Sequence, residues 1–261
     1  MKLGVNLTKI SQIEQFVSFY RDGKIDFVEI LIDNFFHLDP EFLGDQLKSL
    51  PRSFHIMSSN YLDRTNEELE TFSTKVKLFK DVLEPFYISD HLFKRKENGI
   101  IYPMQIECDY QTDEQLILSK IDYWQSLVNS TLYIENFPSI FLFENQINFF
   151  EKLILKEKVN ILFDFSNAVI SSLNTKISFE QWDKLIKAAS HFHISGYRKS
   201  KEAKIYLDTH DTRISRLSKE WLWKYKKYLS SNQASLVVEY DSGINYDDWI
   251  KDIDSLRQLL S

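Results

Sequence analysis

Short apolar runs rich in β-branched and aromatic residues recur eight times along this chain, each followed by a longer stretch with helical spacing. The runs fall near 3–7, 26–32, 52–56, 86–89, 131–135, 159–163, 191–194 and 235–239. The helical stretches fall at 11–21, 41–49, 64–83, 113–128, 144–157, 178–190, 215–230 and 245–260. Strands that alternate with helices must pair in parallel through right-handed crossovers. Eight such units predict an α/β fold of the (β/α)8 TIM-barrel kind, one metalloenzyme domain over residues 1–261, with an open doubly wound sheet as the competing arrangement. Asp113 and Ser178 are the expected caps of the helices that follow them.

Composition narrows the class. A net charge of -6 argues against a nucleic-acid binder. The single cysteine, Cys108, excludes a disulfide framework and a thiolate cluster within the chain, and reads as a passive thiol. The apolar run at the N-terminus is too short for a signal peptide, and no apolar run reaches membrane-spanning length, so the expectation is a soluble cytoplasmic protein.

The decisive pattern is where polar residues sit. Strand 3 ends on His55, strand 4 on Ser89-Asp90-His91, strand 5 on Glu135-Asn136, and strand 6 on Asp164 with Asn167 three residues later. Strand 7 carries His191 and His193 and is followed by Asp208-Thr209-His210, and strand 8 ends Glu239-Tyr240-Asp241. Such side chains are costly to bury unless paired or bound to metal. In a β/α barrel these strand ends meet at one mouth. Four carboxylates gathered there would take up protons unless cations neutralised them. Imidazole and carboxylate without thiolate suit Fe, Mn or Zn. Nine candidate metal ligands follow: His55, His91, Glu135, Asp164, Asn167, His193, Asp208, His210 and Glu239. Asp241, two residues past Glu239, is the candidate catalytic base. His191 reads as structural, Glu29 and Asp33 as part of a polar rim, Lys94–Gly99 as a solvated turn, and Trp221–Tyr228 as an amphipathic outer helix.

The ordered set His55, Ser89-Asp90-His91, Glu135-Asn136, Asp164-x-x-Asn167, His193-x-x-Gly196, Asp208-Thr209-His210 and Glu239-x-Asp241 resembles the multinuclear non-heme iron-dependent oxidative enzymes, also known as the domain-of-unknown-function-692 family. Finer likeness to the methanobactin-biosynthesis branch lies in Asp26–Phe35, Phe54–Met57, Leu132–Ile140, Leu162–Ala168 and His191–Tyr197. The resemblance covers about residues 3–250; Asp33 stands where much of the wider family has Glu, which follows the methanobactin-biosynthesis branch.

The resemblance implies a xylose-isomerase-like barrel holding two or three iron ions of mixed Fe(II)/Fe(III) state, with O2 as co-substrate. It implies one iron site on His55, His91 and Glu135, a second on Glu135, Asp164, His193 and Glu239, and a third on Asn167, Asp208 and His210. It further implies oxidation of a cysteine in an MbnA-like precursor peptide to an oxazolone with an adjacent thioamide, in a heterodimer with an MbnC-like partner protein. The chain leaves no length for a separate peptide-binding domain, which agrees with such a partner, and its many aromatics could serve as the partner surface. An endonuclease IV-like phosphodiesterase and a sugar isomerase on the same barrel are the alternatives.

Overall fold

Six of the eight apolar runs are buried along every residue or all but the first, as strands covered on both faces must be. In the computed structural model they form β1 (Lys2–Leu7), β2 (Phe27–Leu31), β3 (Arg52–Ile56), β4 (Ile88–His91), β5 (Leu132–Glu135), β6 (Asn160–Asp164), β7 (His191–Ser195) and β8 (Ser235–Glu239). All eight pair in parallel, in chain order, and β8 closes on β1, giving a closed barrel. The expected fold class is therefore found. The structure describes residues 1–48, 50–140, 145–155, 159–231, 234–241 and 245–260. The expected helix ends at 49, 144 and 156–157 lie outside them.

The helices pack outside the barrel. Asn66–Leu83, for example, starts with a capping box between Thr65 and Glu68 and buries Leu69, Val76, Phe79 and Leu83 at helical spacing. Trp124, Trp182 and Trp249 are fully buried, and Phe179 stacks on Trp221 at 4.0 Å. Most aromatics thus fasten helices to the barrel. The large exposed ones, Phe42, Phe86, Tyr102 and Trp223, lie in four separate segments. No helix among the described residues is long and apolar enough to cross a membrane.

Three expectations fail locally. Neither Asp113 nor Ser178 caps through its side chain: Asp113 pairs with Lys94 at 2.5 Å, and the Ser178 hydroxyl donates to Glu180. Lys94–Glu97 is not a plain turn but one strand of a hairpin with Ile100–Ile106, turning at Asn98 and Gly99, both with positive φ. A helix, Phe165–Thr175, starts directly on the last residue of β6. It is capped by Asp164, whose Oδ1 accepts from the Asn167 N–H at 2.8 Å. That cap is readable as Asp164-x-x-Asn167, but the apolar run before it conceals the switch from strand to helix.

Candidate metal centre

Side chains on a strand alternate between its two faces. On β4 this sends Ser89 and His91 into the barrel and Asp90 outward, where it accepts from Trp124 Nε1 (2.8 Å) and Ser59 Oγ (2.9 Å). On β3 it sends His55 inward. The His55 Nε2 lies 2.7 Å from His91 Nε2, and its Nδ1 lies 2.8 Å from Ser89 Oγ. Glu135 Oε2 stands 3.6 Å from His55 Nε2 and 3.3 Å from His91 Nδ1. On the far side of Glu135, its Oε1 accepts from Asn167 Nδ2 at 3.0 Å. His193 Nδ1 lies 3.8 Å from that Oε1 and 3.2 Å from Glu239 Oε2. Asp164 joins Glu135, His193 and Glu239 in one group whose donor atoms all lie within 4.8 Å of one another; His55, His91 and Glu135 form another.

The segment after β7 supplies the remaining residues. Asp208 Oδ2 and His210 Nε2 meet at 2.7 Å, and His210 Nδ1 stands 3.1 Å from Asp241 Oδ2. His210 Nε2 is 3.9 Å from Glu239 Oε2, which ties this pair to the buried cluster. Gly196 makes the approach possible: a Cβ there would lie 1.9 Å from the Thr212 carbonyl oxygen, and its own carbonyl accepts from the His210 N–H at 3.1 Å. His210 itself holds φ at +47°, a left-handed conformation costly for a non-glycine residue and concentrated at functional positions. Asn6 Nδ2 and His210 together hold Asp241, whose side chain is 42% exposed where that of Glu239 is 5% exposed.

Among the nine expected ligands, seven converge directly and the Asp208–His210 pair adjoins them through Glu239. The Asn167 amide points its nitrogen at Glu135, leaving its Oδ1 buried without a hydrogen-bond partner among the described residues. Glu29 was misplaced by the strand pattern: it is no rim residue but is fully buried one layer below, accepting from the Tyr87 hydroxyl, with its Oε1 2.7 Å from His193 Nε2. The signal was a charge at the centre of the apolar run Phe27–Leu31. Asp33 accepts from the Met57 N–H at 3.1 Å and from the Ser58 hydroxyl, bracing the segment that brings Met57 Sδ to 2.9 Å from His91 Nε2. His191 is structural as expected, stacked on Tyr87 and 2.7 Å from Ser235 Oγ. Cys108 is buried, and burial pushes its thiol far up, leaving it inert.

The electrostatics describe a cluster short of positive charge. Burial, then the Glu239 and Asp164 carboxylates, drives Glu135 well above the carboxylate range. Burial and Glu239 push Asp164 up to about 7. Against the cost of burial, Glu239 and Glu29 raise His193, and Asp208 raises His210. Burial, then the other rings, depresses His55 and brings His91 down to about 3. His55 and His91 are therefore held neutral, while Glu135 and Asp164 favour their protonated forms and His193 and His210 are held charged beside carboxylates, protonation states that a bound cation replaces. Glu135 Oε2, Asp164 Oδ2, Asn167 Oδ1 and Glu239 Oε2 are all buried without hydrogen-bond geometry to any described partner. Buried polar atoms are nearly always satisfied. Four such oxygens around three imidazoles fit metal ions, and the donor set, nitrogen and oxygen without sulfur, suits Fe, Mn or Zn.

Comparison with known proteins agrees with the barrel and narrows the class. The chain superposes on a D-psicose 3-epimerase (TM-score 0.63, 14% identity, covering 100% of this chain and 99% of that one). It also superposes on a xylose isomerase domain containing protein from Salmonella typhimurium (0.64, 12%, 99% and 97%) and on a D-allulose 3-epimerase from Methylomonas sp. (0.63, 10%, 100% and 97%). At these identities the likeness shows the xylose-isomerase-like fold alone. No curated protein matches in sequence. Residues 2–261 match the family model of the RiPP precursor modification enzyme MbnB/TglH/ChrH, enzymes of ribosomally made, modified peptides.

Proposed function

The chain belongs to the MbnB/TglH/ChrH family of RiPP precursor modification enzymes, and on that premise we propose that it oxidises a cysteine of an MbnA-like precursor peptide with iron and O2, forming an oxazolone and an adjacent thioamide. The observation that supports this reading is the set of buried, unsatisfied carboxylate and amide oxygens facing three imidazoles at the barrel mouth. In this reading residues 1–261 form one metalloenzyme domain. His55, His91 and Glu135 hold one iron; Glu135, Asp164, His193 and Glu239 a second; and Asn167, Asp208 and His210 a third. Iron, when bound, supplies the redox chemistry with O2 and a position for the peptide thiolate.

The chain's own groups do the rest. Glu135 belongs both to the group with His55 and His91 and to the group with Asp164, His193 and Glu239, so it links the first two sites. Glu29 fixes the His193 ring from below, leaving Nδ1 turned toward Glu239. Ser89 does the same for His55. Asn167 orients Glu135 while the cap on its own N–H holds Asp164. Asp241 is the solvent-facing carboxylate of the site. Burial would raise it, but His210 and Asn6 hold it below the usual range, so it stays ionised and serves as the proton acceptor for the peptide. An MbnC-like partner holds the precursor near the mouth and raises its effective concentration.

The test follows peptide mass. This chain and its partner, given O2 and the cysteine-containing precursor, remove four hydrogens, and either protein alone changes the peptide little. Hydrolysis of a phosphodiester or epimerisation of a sugar by the metal-loaded chain, with no change in the peptide, would replace this reading.

A further inference from the structure

A cavity of about 350 Å³ lies between the hairpin after β4 and the segment after β5. Tyr102, Met104, Ile106, Phe137 and Ile140 form its apolar walls, and Glu107 faces it as well. Both walls grow out of the metal centre. The hairpin starts three residues past His91, through Phe93, whose ring lies 5.9 Å from the His91 ring. Phe137 is two residues past Glu135, a span of at most about 7 Å between Cα atoms.

Two features of this place have no explanation in the metal centre. The hairpin strand Ile100–Ile106 exposes Ile100 (58%), Ile101 (77%) and Met104 (57%), the densest run of exposed large apolar residues among those described. It belongs to a two-stranded sheet, so no other described strand covers its outer edge. Glu107, meanwhile, uses only one oxygen: Oε1 accepts from Ser139 Oγ (2.6 Å) and Gln146 Nε2 (2.8 Å), while Oε2 is buried without a hydrogen-bond partner among the described residues. A buried acceptor left unmet beside an apolar cavity calls for a ligand with an N–H or O–H donor next to a bulky apolar group.

Resting on the reading that this chain modifies a precursor peptide, we propose that the cavity seats one bulky apolar side chain of that peptide, in the stretch entering the barrel mouth, with an adjacent backbone N–H donating to Glu107 Oε2. An extended peptide fits better than the face of a folded partner. The space holds one or two side chains, whereas a stable protein interface needs about 800 Å² per side. Filling the cavity also braces the segment behind the metal centre. Gln146, which bonds Glu107, holds the Phe137 N–H at 3.1 Å and the Phe137 carbonyl at 3.2 Å. The occupant thus sets which residue of the peptide reaches the iron.

The experiment uses the iron-loaded chain with saturating partner protein and a fluorescent cysteine-containing precursor, read by anisotropy. Met104→Asp, at a half-exposed position that tolerates charge, is compared with Leu155→Ser, an exposed site lining a different cleft. Met104→Asp is expected to weaken peptide binding at least tenfold with iron content, Tm and partner affinity unchanged, and Leu155→Ser to leave all four unchanged. Replacing one apolar residue of the peptide by serine should cause the same loss, with no further loss in combination with Met104→Asp. Equal peptide binding by Met104→Asp and the unaltered chain would overturn the inference and leave the proposed function standing. Weakened partner affinity with unchanged peptide affinity would also overturn it, making the hairpin a protein interface. No precursor binding by the unaltered chain with its partner would remove the proposed function and the inference together.

Discussion

Two clusters of buried charge in this molecule solve the same problem in opposite ways. Asp252 is fully buried in the outer layer, yet every demand on it is met: Arg213 Nη2 lies at 2.8 Å, Lys219 Nζ at 2.9 Å, the Ile214 N–H at 3.0 Å, and the Tyr240 hydroxyl donates as well. Burial raises its pKa, but the Arg213 bond and the other donors outweigh that and hold it below the usual range. At the barrel mouth Glu135 and Asp164 are as deeply buried, and no lysine or arginine pairs with them among the described residues; both are driven up. A buried carboxylate that the protein satisfies is architecture. Buried carboxylates that it leaves without a lysine or arginine, grouped with histidines whose ring nitrogens lie within reach of the same ion, are a candidate metal site.

The largest break in this contrast comes from Glu135→Gln. An amide bridges metal ions poorly, so this variant should lose iron and lose activity to below about one-thousandth, with the barrel still folded; iron analysis beside a melting curve checks both. Glu29→Gln should act one layer away, lowering iron affinity about 10- to 100-fold through the His193 ring, as read by titration with a chelator.

The clusters should also respond to neutralisation with opposite signs. In metal-free protein at pH 8, Asp164→Asn should raise Tm by on the order of 5 °C, because the asparagine keeps the cap on Asn167 and removes the unmet charge. The folded-state pKa of Asp164, about 7, lies above its unfolded value of 3.8. That carboxyl therefore favours the fold below about pH 4 and loses this advantage as pH rises through 7. The gain from Asp164→Asn should accordingly shrink between pH 8 and pH 4. Asp252→Asn should instead lower Tm by roughly 5 °C with iron content unchanged. A stabilising Asp252→Asn, or a destabilising Asp164→Asn in metal-free protein, would erase the distinction between the clusters. The smallest effect is expected for Cys108→Ala: slight destabilisation from a small lost contact, with iron content and turnover unaltered.

The same contrast explains what could be read from the amino-acid order. Apolar strands ending on His55, His91, Glu135, Asp164 and Glu239 announce both the barrel and the mouth, because parallel strands bring their C-terminal ends to one face. Asp208 and His210 lie beyond their strand, and their approach depends on the close crossing at Gly196, which spacing alone does not reveal. Glu29 escaped because a single charge in an apolar run looks the same whether it lines a rim or underlies a site; its register beside Asn6 and Ser53 in the barrel decides. The helix Phe165–Thr175 escaped because an apolar strand runs into an apolar helix without a break. The hairpin Lys94–Ile106 escaped because its basic strand is solvated on one side, as a turn would be. Caps at Asp113 and Ser178 failed because nearby ionic or hydroxyl partners compete for the same side chains.

Elemental analysis of the chain, prepared without oxygen together with its partner, tests the central claim most directly. Two to three iron ions per chain are expected, reduced in Glu135→Gln and in Asp164→Ala, with peptide oxidation tracking iron content. Full peptide-modifying activity in protein that holds zinc alone, or iron below one ion per chain in fully active protein, would contradict it.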